Sequence, residues 1–159
     1  MSAADASLLD IIATPIVITH LGTTDILFSN RAAHELFERP AELPPGYRAE
    51  QLYADANVRS ALIQRLRRDG IIQNFEIEFL SFTGRRFWGL LSGRVTKYEG
   101  ADALLASIVD ISAQKEREVQ LAQATEQLRM HAAGTAQLNR ELKRQRHVAI
   151  TASRAKSDF

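Results

Sequence analysis

Up to about residue 112 the chain alternates short apolar stretches with turn residues, and beyond that point one uninterrupted pattern runs to the C-terminus. The run Ser7 to Ile12 reads as a short helix and Pro15 to His20 as a strand. Gly22-Thr23-Thr24 turns the chain into a second strand, Asp25 to Phe28. Ser29 or Asn30 can cap a helix through Arg31 to Phe37, because a short polar side chain accepts from the free N–H groups of a helix start. Arg39 to Gly46 holds three prolines and is irregular, with a short helical piece at Glu50 to Tyr53. Ala56 to Arg68 is a stronger helix, capped by Asp55 and ended by Gly70. Val58, Leu62, Ile63 and Leu66 recur there at helical spacing, which assigns Arg59, Arg65, Arg67 and Arg68 to other faces.

Three strands follow. In Ile71 to Leu80, Phe75, Ile77 and Phe79 alternate with Glu76 and Glu78. Thr83-Gly84 turns into Arg85 to Val95, and Glu99-Gly100 turns into Leu104 to Ile111. A two-residue turn at Thr83-Gly84 sets Phe79 opposite Trp88, Ile77 opposite Leu90, Glu78 opposite Gly89 and Leu80 opposite Phe87. Both faces of this hairpin then carry large apolar groups, so one covers the small helices and the other needs a lid from the N-terminal helix or a partner subunit. Which face carries Trp88 stays open. Helix, two strands, short helices and three strands make an α+β domain with a five-stranded antiparallel sheet.

Composition narrows the function. Of 159 residues about 45% are hydrophobic and 25% charged, as in an ordinary globular domain. The 20 basic and 19 acidic side chains leave a net charge of +1, which points neither to nucleic acid nor to an anionic membrane surface. No apolar run reaches the roughly 20 residues of a membrane span, and the N-terminus lacks the features of a signal peptide, so a cytoplasmic location is expected. With no cysteine, disulfides, thiolate metal sites, cysteine nucleophiles and thiol–flavin photochemistry are excluded.

Three segments carry a resemblance. Ile26-Leu27-Phe28-Ser29-Asn30-Arg31-Ala32-Ala33 is similar to the second strand of PAS domains running into their first small helix. Phe82-Thr83-Gly84-Arg85-Arg86-Phe87-Trp88 is similar to the family's Asp-Gly hairpin, with Thr83 in the Asp position. Val109-Asp110-Ile111-Ser112-Ala113-Gln114-Lys115 resembles the Asp-Ile-Thr motif that ends many PAS domains. Together they cover roughly Ser7 to Glu118. The resemblance implies a cap helix over residues 1–13, a sensor domain over 14–112 and a signalling helix over 113–159.

Chemistry gives the junction its own sense. Ser112 can cap the C-terminal helix, the helix dipole favours Asp110 nearby, and Lys115 can pair with Asp110 across the junction. These residues either cap a helix only or, as the resemblance implies, form with Ile111 the point where sheet distortion enters the helix.

From residue 113 onward there is one glycine, Gly134, and no proline, so a continuous helix would reach about 70 Å at about 1.5 Å per residue. A helix of that length needs a partner. A heptad frame places Leu121, Leu128, Thr135, Leu142, Ala149 and Lys156 at one core position. Ala124, His131, Leu138, Gln145, Ala152 and Phe159 take the other. Eight of the twelve are apolar, which fits a parallel homodimeric coiled coil with a weak seam around His131 to Thr135.

The ending Ala152-Ser153-Arg154-Ala155-Lys156-Ser157-Asp158-Phe159 is similar to the start of the dimerisation and phosphoacceptor helix of sensor histidine kinases. The resemblance implies a phosphoacceptor His and an ATP-binding domain beyond Phe159, with a response regulator as partner. A nucleotide or diguanylate cyclase output, or a purely structural dimerisation scaffold, are the alternatives. His147 is followed by Val148-Ala149-Ile150 and reads as a solvated helix residue.

No catalytic residue is assigned. Glu76 and Glu78 read as a solvated or ion-paired face rather than an acid–base pair. The four histidines have no metal-ligand spacing, and the helix from Ala56 to Arg68 lacks the histidine through which, as the resemblance implies, some PAS domains bind haem. The Arg65, Arg67, Arg68 cluster reads as a solvated face. No cofactor is expected, but a small ligand is left open: Phe28, Leu36, Leu62, Leu66, Phe75, Ile77, Trp88, Leu90 and Ser107 either line a pocket or pack together as a core.

Overall fold

The computed structural model describes residues 8–40 and 42–157. Residues 8–11 are helical, and residues 1–7 of the expected cap helix lie outside the described residues. Strands β1 (Ile16–His20) and β2 (Ile26–Ser29) lead into helix α1 (Arg31–Leu36). A 3-10 turn (Ala49–Leu52) and helix α2 (Ala56–Asp69) precede strands β3 (Ile71–Leu80), β4 (Arg86–Tyr98) and β5 (Ala101–Asp110). Helix α3 (Ser112–Ser157) closes the order. The five strands form one sheet in the order β2-β1-β5-β4-β3, and every neighbouring pair is antiparallel. The expected α+β architecture is present, and the chain divides into two compact units, residues 1–115 and 116–159.

Local chemistry fixes the element ends. Asp55 caps α2 through Asn57 N, and the N–H of Gly70 closes its last turn on Leu66 O. Of the two caps offered for α1, Asn30 is the one used: its Oδ1 accepts from Ala33 N at 3.0 Å. The same oxygen accepts from Ile16 N at 2.9 Å. Its Nδ2 donates to the carbonyls of Leu9, Ile12 and Thr14 at 3.1, 3.0 and 2.9 Å. One fully buried amide therefore ties the N-terminal segment, β1 and α1 together.

The β3–β4 hairpin corrects the expected register by one residue on β4. Phe79 pairs with Phe87, Ile77 with Gly89, Glu78 with Trp88 and Leu80 with Arg86. Ser81 N donates to Arg85 O, and Gly84 N donates back to Ser81 O, so the loop has three residues, Phe82-Thr83-Gly84. Gly84 stands at φ 90°, the left-handed position such loops assign to glycine. Counting the turn as two residues misplaces the pairing, and a one-residue slip changes the face of every side chain. Phe87 thus points inward and Trp88 outward, with Trp88 40% exposed.

The core lies between α1, the 3-10 turn and α2 on one side and the inner sheet face on the other. Phe37, Leu62, Leu66, Ile77, Phe79, Phe87, Leu91 and Leu104 are buried there. Phe37, Phe79 and Phe87 pack with ring centroids 5.3–5.6 Å apart. Gly89 makes room for this cluster: a Cβ there would lie 2.6 Å from the Phe79 ring.

Candidate functional site

The end of the sheet and the start of α3 form one bonded junction. Trp88 of β4 exchanges both backbone groups with it, because Ile111 N donates to Trp88 O at 2.8 Å and Trp88 N donates to Ser112 Oγ at 2.9 Å. The β4–β5 ladder therefore continues past Asp110 into the first residue of the helix. Lys115 N donates to Ile111 O at 2.9 Å, so the first helical turn closes on a residue that β4 holds.

Capping here corrects the expected arrangement. The Ser112 hydroxyl serves β4, and Asp110 Oδ1 instead accepts from Ser112 N at 2.9 Å. The anticipated Asp110–Lys115 pair is also replaced. Lys115 Nζ lies 2.6 Å from Glu76 Oε2 of β3 and 5.7 Å from the centroid of the Trp88 ring. Asp110 Oδ2 faces Arg85 Nη1 at 3.9 Å. The reason is the alternation of the sheet: Glu76, Leu90 and Val109 stand in one row across β3, β4 and β5, on the face that α3 meets at Lys115.

Arg85 carries the junction back to the helical layer. Its Nε bonds Glu38 Oε1 at 3.0 Å and its Nη2 bonds Leu36 O at 2.8 Å. Glu38 also accepts from Ser81 Oγ at 2.7 Å and from Thr83 Oγ1. The Thr83 hydroxyl, then Ser81 and Arg85, hold the Glu38 carboxyl down at about 2. A continuous polar path thus runs from the end of α1 through Glu38, Arg85 and Asp110 to the first residue of α3.

A second feature lies inside the core. A cavity of about 20 Å3 is lined by Val17, Thr19, Ala49, Leu52, Tyr53, Arg59, Phe79, Leu91, Leu104, Ala106 and Ile108. None of the nine residues expected for a pocket lines it. Leu62, Leu66 and Ile77 are buried in the core, with Leu36 and Phe75 packed against it. Trp88, Leu90 and Ser107 stand on the opposite sheet face, as the shifted register requires. Phe28, paired with Ile18, alternates away from the inward-facing Val17.

Arg59 corrects another expectation. Instead of standing on another face from Leu62 and Leu66 it is 3% exposed and lines the cavity. The signal is present in the spacing, since Arg59 precedes Leu62 by three residues and Leu66 by seven, on one helical face. Arg65 and Arg68 do lie outside, ion-paired with Asp69.

No protein-family model and no curated protein matches the chain. Solved structures do. A PAS domain from a two-component sensor histidine kinase superposes with a TM-score of 0.56 at 15% identity, covering 67% of this chain and 93% of that one. The PAS domain of nitrogen regulation protein NR(II) from Vibrio parahaemolyticus matches with a TM-score of 0.55 at 21% identity, over 69% and 100%. An RNA-binding light-oxygen-voltage receptor matches with a TM-score of 0.62 at 18% identity, over 77% of this chain and 36% of its own. The chain has the PAS fold.

In PAS terms, Asp110, Ile111, Ser112 and Lys115 are all at the sheet–helix junction, with Ile111 and Ser112 both bonded to Trp88. Beyond the PAS domain, the residues of the expected seam lie along α3. Leu121, Leu128, Leu138 and Leu142 are 54–71% exposed. Ala124, Ala149 and Ala152 are exposed too, and Phe159 lies outside the described residues. Among the described residues no helix is long and apolar enough to cross a membrane, and no cluster of His, Cys, Asp and Glu is arranged to hold a metal.

Proposed function

We propose that the chain is a cytoplasmic sensory PAS module that dimerises in parallel through α3 and passes the state of its sheet to a histidine kinase output. The observation that carries this reading is the junction: α3 begins two residues after β5, and β4 holds its first residue through Trp88 and Ser112. A shift of β4 or β3 therefore moves the helix start directly, through the Trp88 ladder and the Lys115–Glu76 ion pair. Two copies bury the leucine seam of residues 121–142, which a single helix leaves in water. The output then autophosphorylates a His with ATP and transfers the phosphoryl group to a response regulator. The ending of the helix and the histidine kinase origin of one of the matched PAS domains favour this output.

Light scattering on the chain and on a version ending at Glu118 tests the arrangement. A dimeric full chain and a markedly weaker dimer after truncation are expected. A monomer at both lengths would overturn the reading.

A further inference from the structure

We propose that Glu141 of one copy pairs with Arg146 of the partner subunit, and that this ion pair, formed twice about a two-fold axis, sets the parallel sense and the register of α3. The inference rests on the dimeric reading above and deepens it by naming the charges that choose the partner.

Charge is unevenly spread along the helix. Residues 139–157 hold six basic side chains, Arg140, Lys143, Arg144, Arg146, Arg154 and Lys156, and a single acid, Glu141. All seven are exposed. Two copies lying side by side bring these positive stretches together, and their repulsion has to be offset. Nearer the PAS domain, Arg129 is ion-paired with Glu126 of the same copy at 3.3 Å. Arg146 has no such option, because the residues three and four positions away are Leu142, Lys143, Ala149 and Ile150. Its own helix supplies it with no acid.

Spacing identifies the acid. Glu141 immediately precedes the seam residue Leu142, and Arg146 immediately follows the seam position Gln145. The two flank the seam on opposite sides, at the positions whose charges meet across a parallel pair. In register, Glu141 reaches the residue five positions on in the second helix, which is Arg146 of the partner subunit. Glu141 already leans toward the seam, since its Oε1 accepts from Gln145 Nε2 at 3.2 Å. The other pairs so related, such as Gln127 with Ala132 and Gly134 with Asn139, do not bring two charges together. The register therefore depends on this one.

The competing arrangement gives a different pair. Antiparallel helices that stack Leu128 on Leu138 set Arg146 beside Glu118 of the partner subunit and Glu141 beside Gln127 of the partner subunit. The acid that Arg146 meets is thus a readout of helix direction. Packing favours the parallel pair. It sets Leu121, Leu128, Leu138 and Leu142 each against its own counterpart, whereas the antiparallel one sets Leu121 against Gln145 and Leu142 against Ala124.

The test uses full 159-residue chains carrying Glu141→Arg, Glu118→Arg or Arg146→Glu, mixed in pairs at low salt and sorted by native mass spectrometry into homodimers and heterodimers. Glu141→Arg alone should self-associate about tenfold more weakly than wild type, since two symmetric pairs change from attraction to repulsion. Mixed with Arg146→Glu it should recover as a heterodimer in excess of the random share, and the excess should fade at about 1 M salt. Glu118→Arg carries the same change of charge, so its mixture with Arg146→Glu measures what net charge alone contributes and should show a smaller excess. Equal excess in the two mixtures overturns the proposal. A larger excess with Glu118→Arg overturns it in favour of antiparallel helices. In both cases the wild type is still a dimer, whereas a monomeric wild type overturns the dimeric reading itself.

Discussion

Asn30→Asp replaces the hub of the N-terminal attachment with its closest isostere. The Nδ2 of Asn30 shares its two hydrogens among the carbonyls of Leu9, Ile12 and Thr14. In the variant an oxygen faces those three carbonyls, while the other oxygen keeps the N–H groups of Ile16 and Ala33. At about 1 kcal/mol net per lost bond, plus the cost of leaving buried carbonyls unpaired, the loss is about 2–4 kcal/mol. That corresponds to a fall in Tm of roughly 10 °C for a chain of this size. The new carboxyl is fully buried in place of an amide, so its folded-state pKa rises above the ordinary Asp value. Its penalty therefore builds as pH rises from the ordinary Asp value toward that folded value, and it is relieved on acidification. Urea unfolding followed by circular dichroism at several pH values checks both effects. Stability within about 0.5 kcal/mol of wild type at neutral pH, with no pH-dependent difference, would refute the network, since that is the range of an ordinary surface change.

Two further outcomes follow from the junction. Glu38 titrates at about 2 in the fold against 4.5 ordinarily, so its contribution is present above about pH 4.5 and lost as pH falls toward 2. Glu38→Gln should flatten that part of the acid unfolding profile, and an unchanged profile would remove the Glu38–Arg85 link from the account. Ser112→Ala leaves Trp88 N without its acceptor and should cost about 1 kcal/mol in urea unfolding. It should also alter the emission of Trp88, the chain's single tryptophan, whose ring lies beside Lys115. Unchanged emission and stability would mean that β4 does not hold the helix start.

The sheet and its element order were legible because strand alternation, prolines and glycine turns are local signals. The two-residue turn Glu99-Gly100, for instance, joins Tyr98 and Ala101 as direct partners and is readable from those residues alone. The hairpin at Thr83-Gly84 was not, because a glycine before a strand fits both a two-residue and a three-residue loop, and the difference moves Trp88 to the other face. The junction residues were found, but their partners were not. Ser112, Asp110 and Lys115 are bonded to groups 24, 2 and 39 positions away, at Trp88, Ser112 and Glu76, and only strand pairing brings the distant ones close. Arg59 was hidden by its charge: helical spacing places it inward, while hydropathy assigns it to solvent.

The central claim is that α3 works as a parallel pair in register. Because the chain has no cysteine, Leu128→Cys supplies the sole thiol of each copy. In a parallel dimer the two introduced thiols stand opposite one another at the seam. Mild oxidation should then give a rapid, nearly complete covalent dimer, with Arg129→Cys, off the seam, reacting far more slowly. Equal rates at the two positions, or no cross-linking at either, would contradict the account.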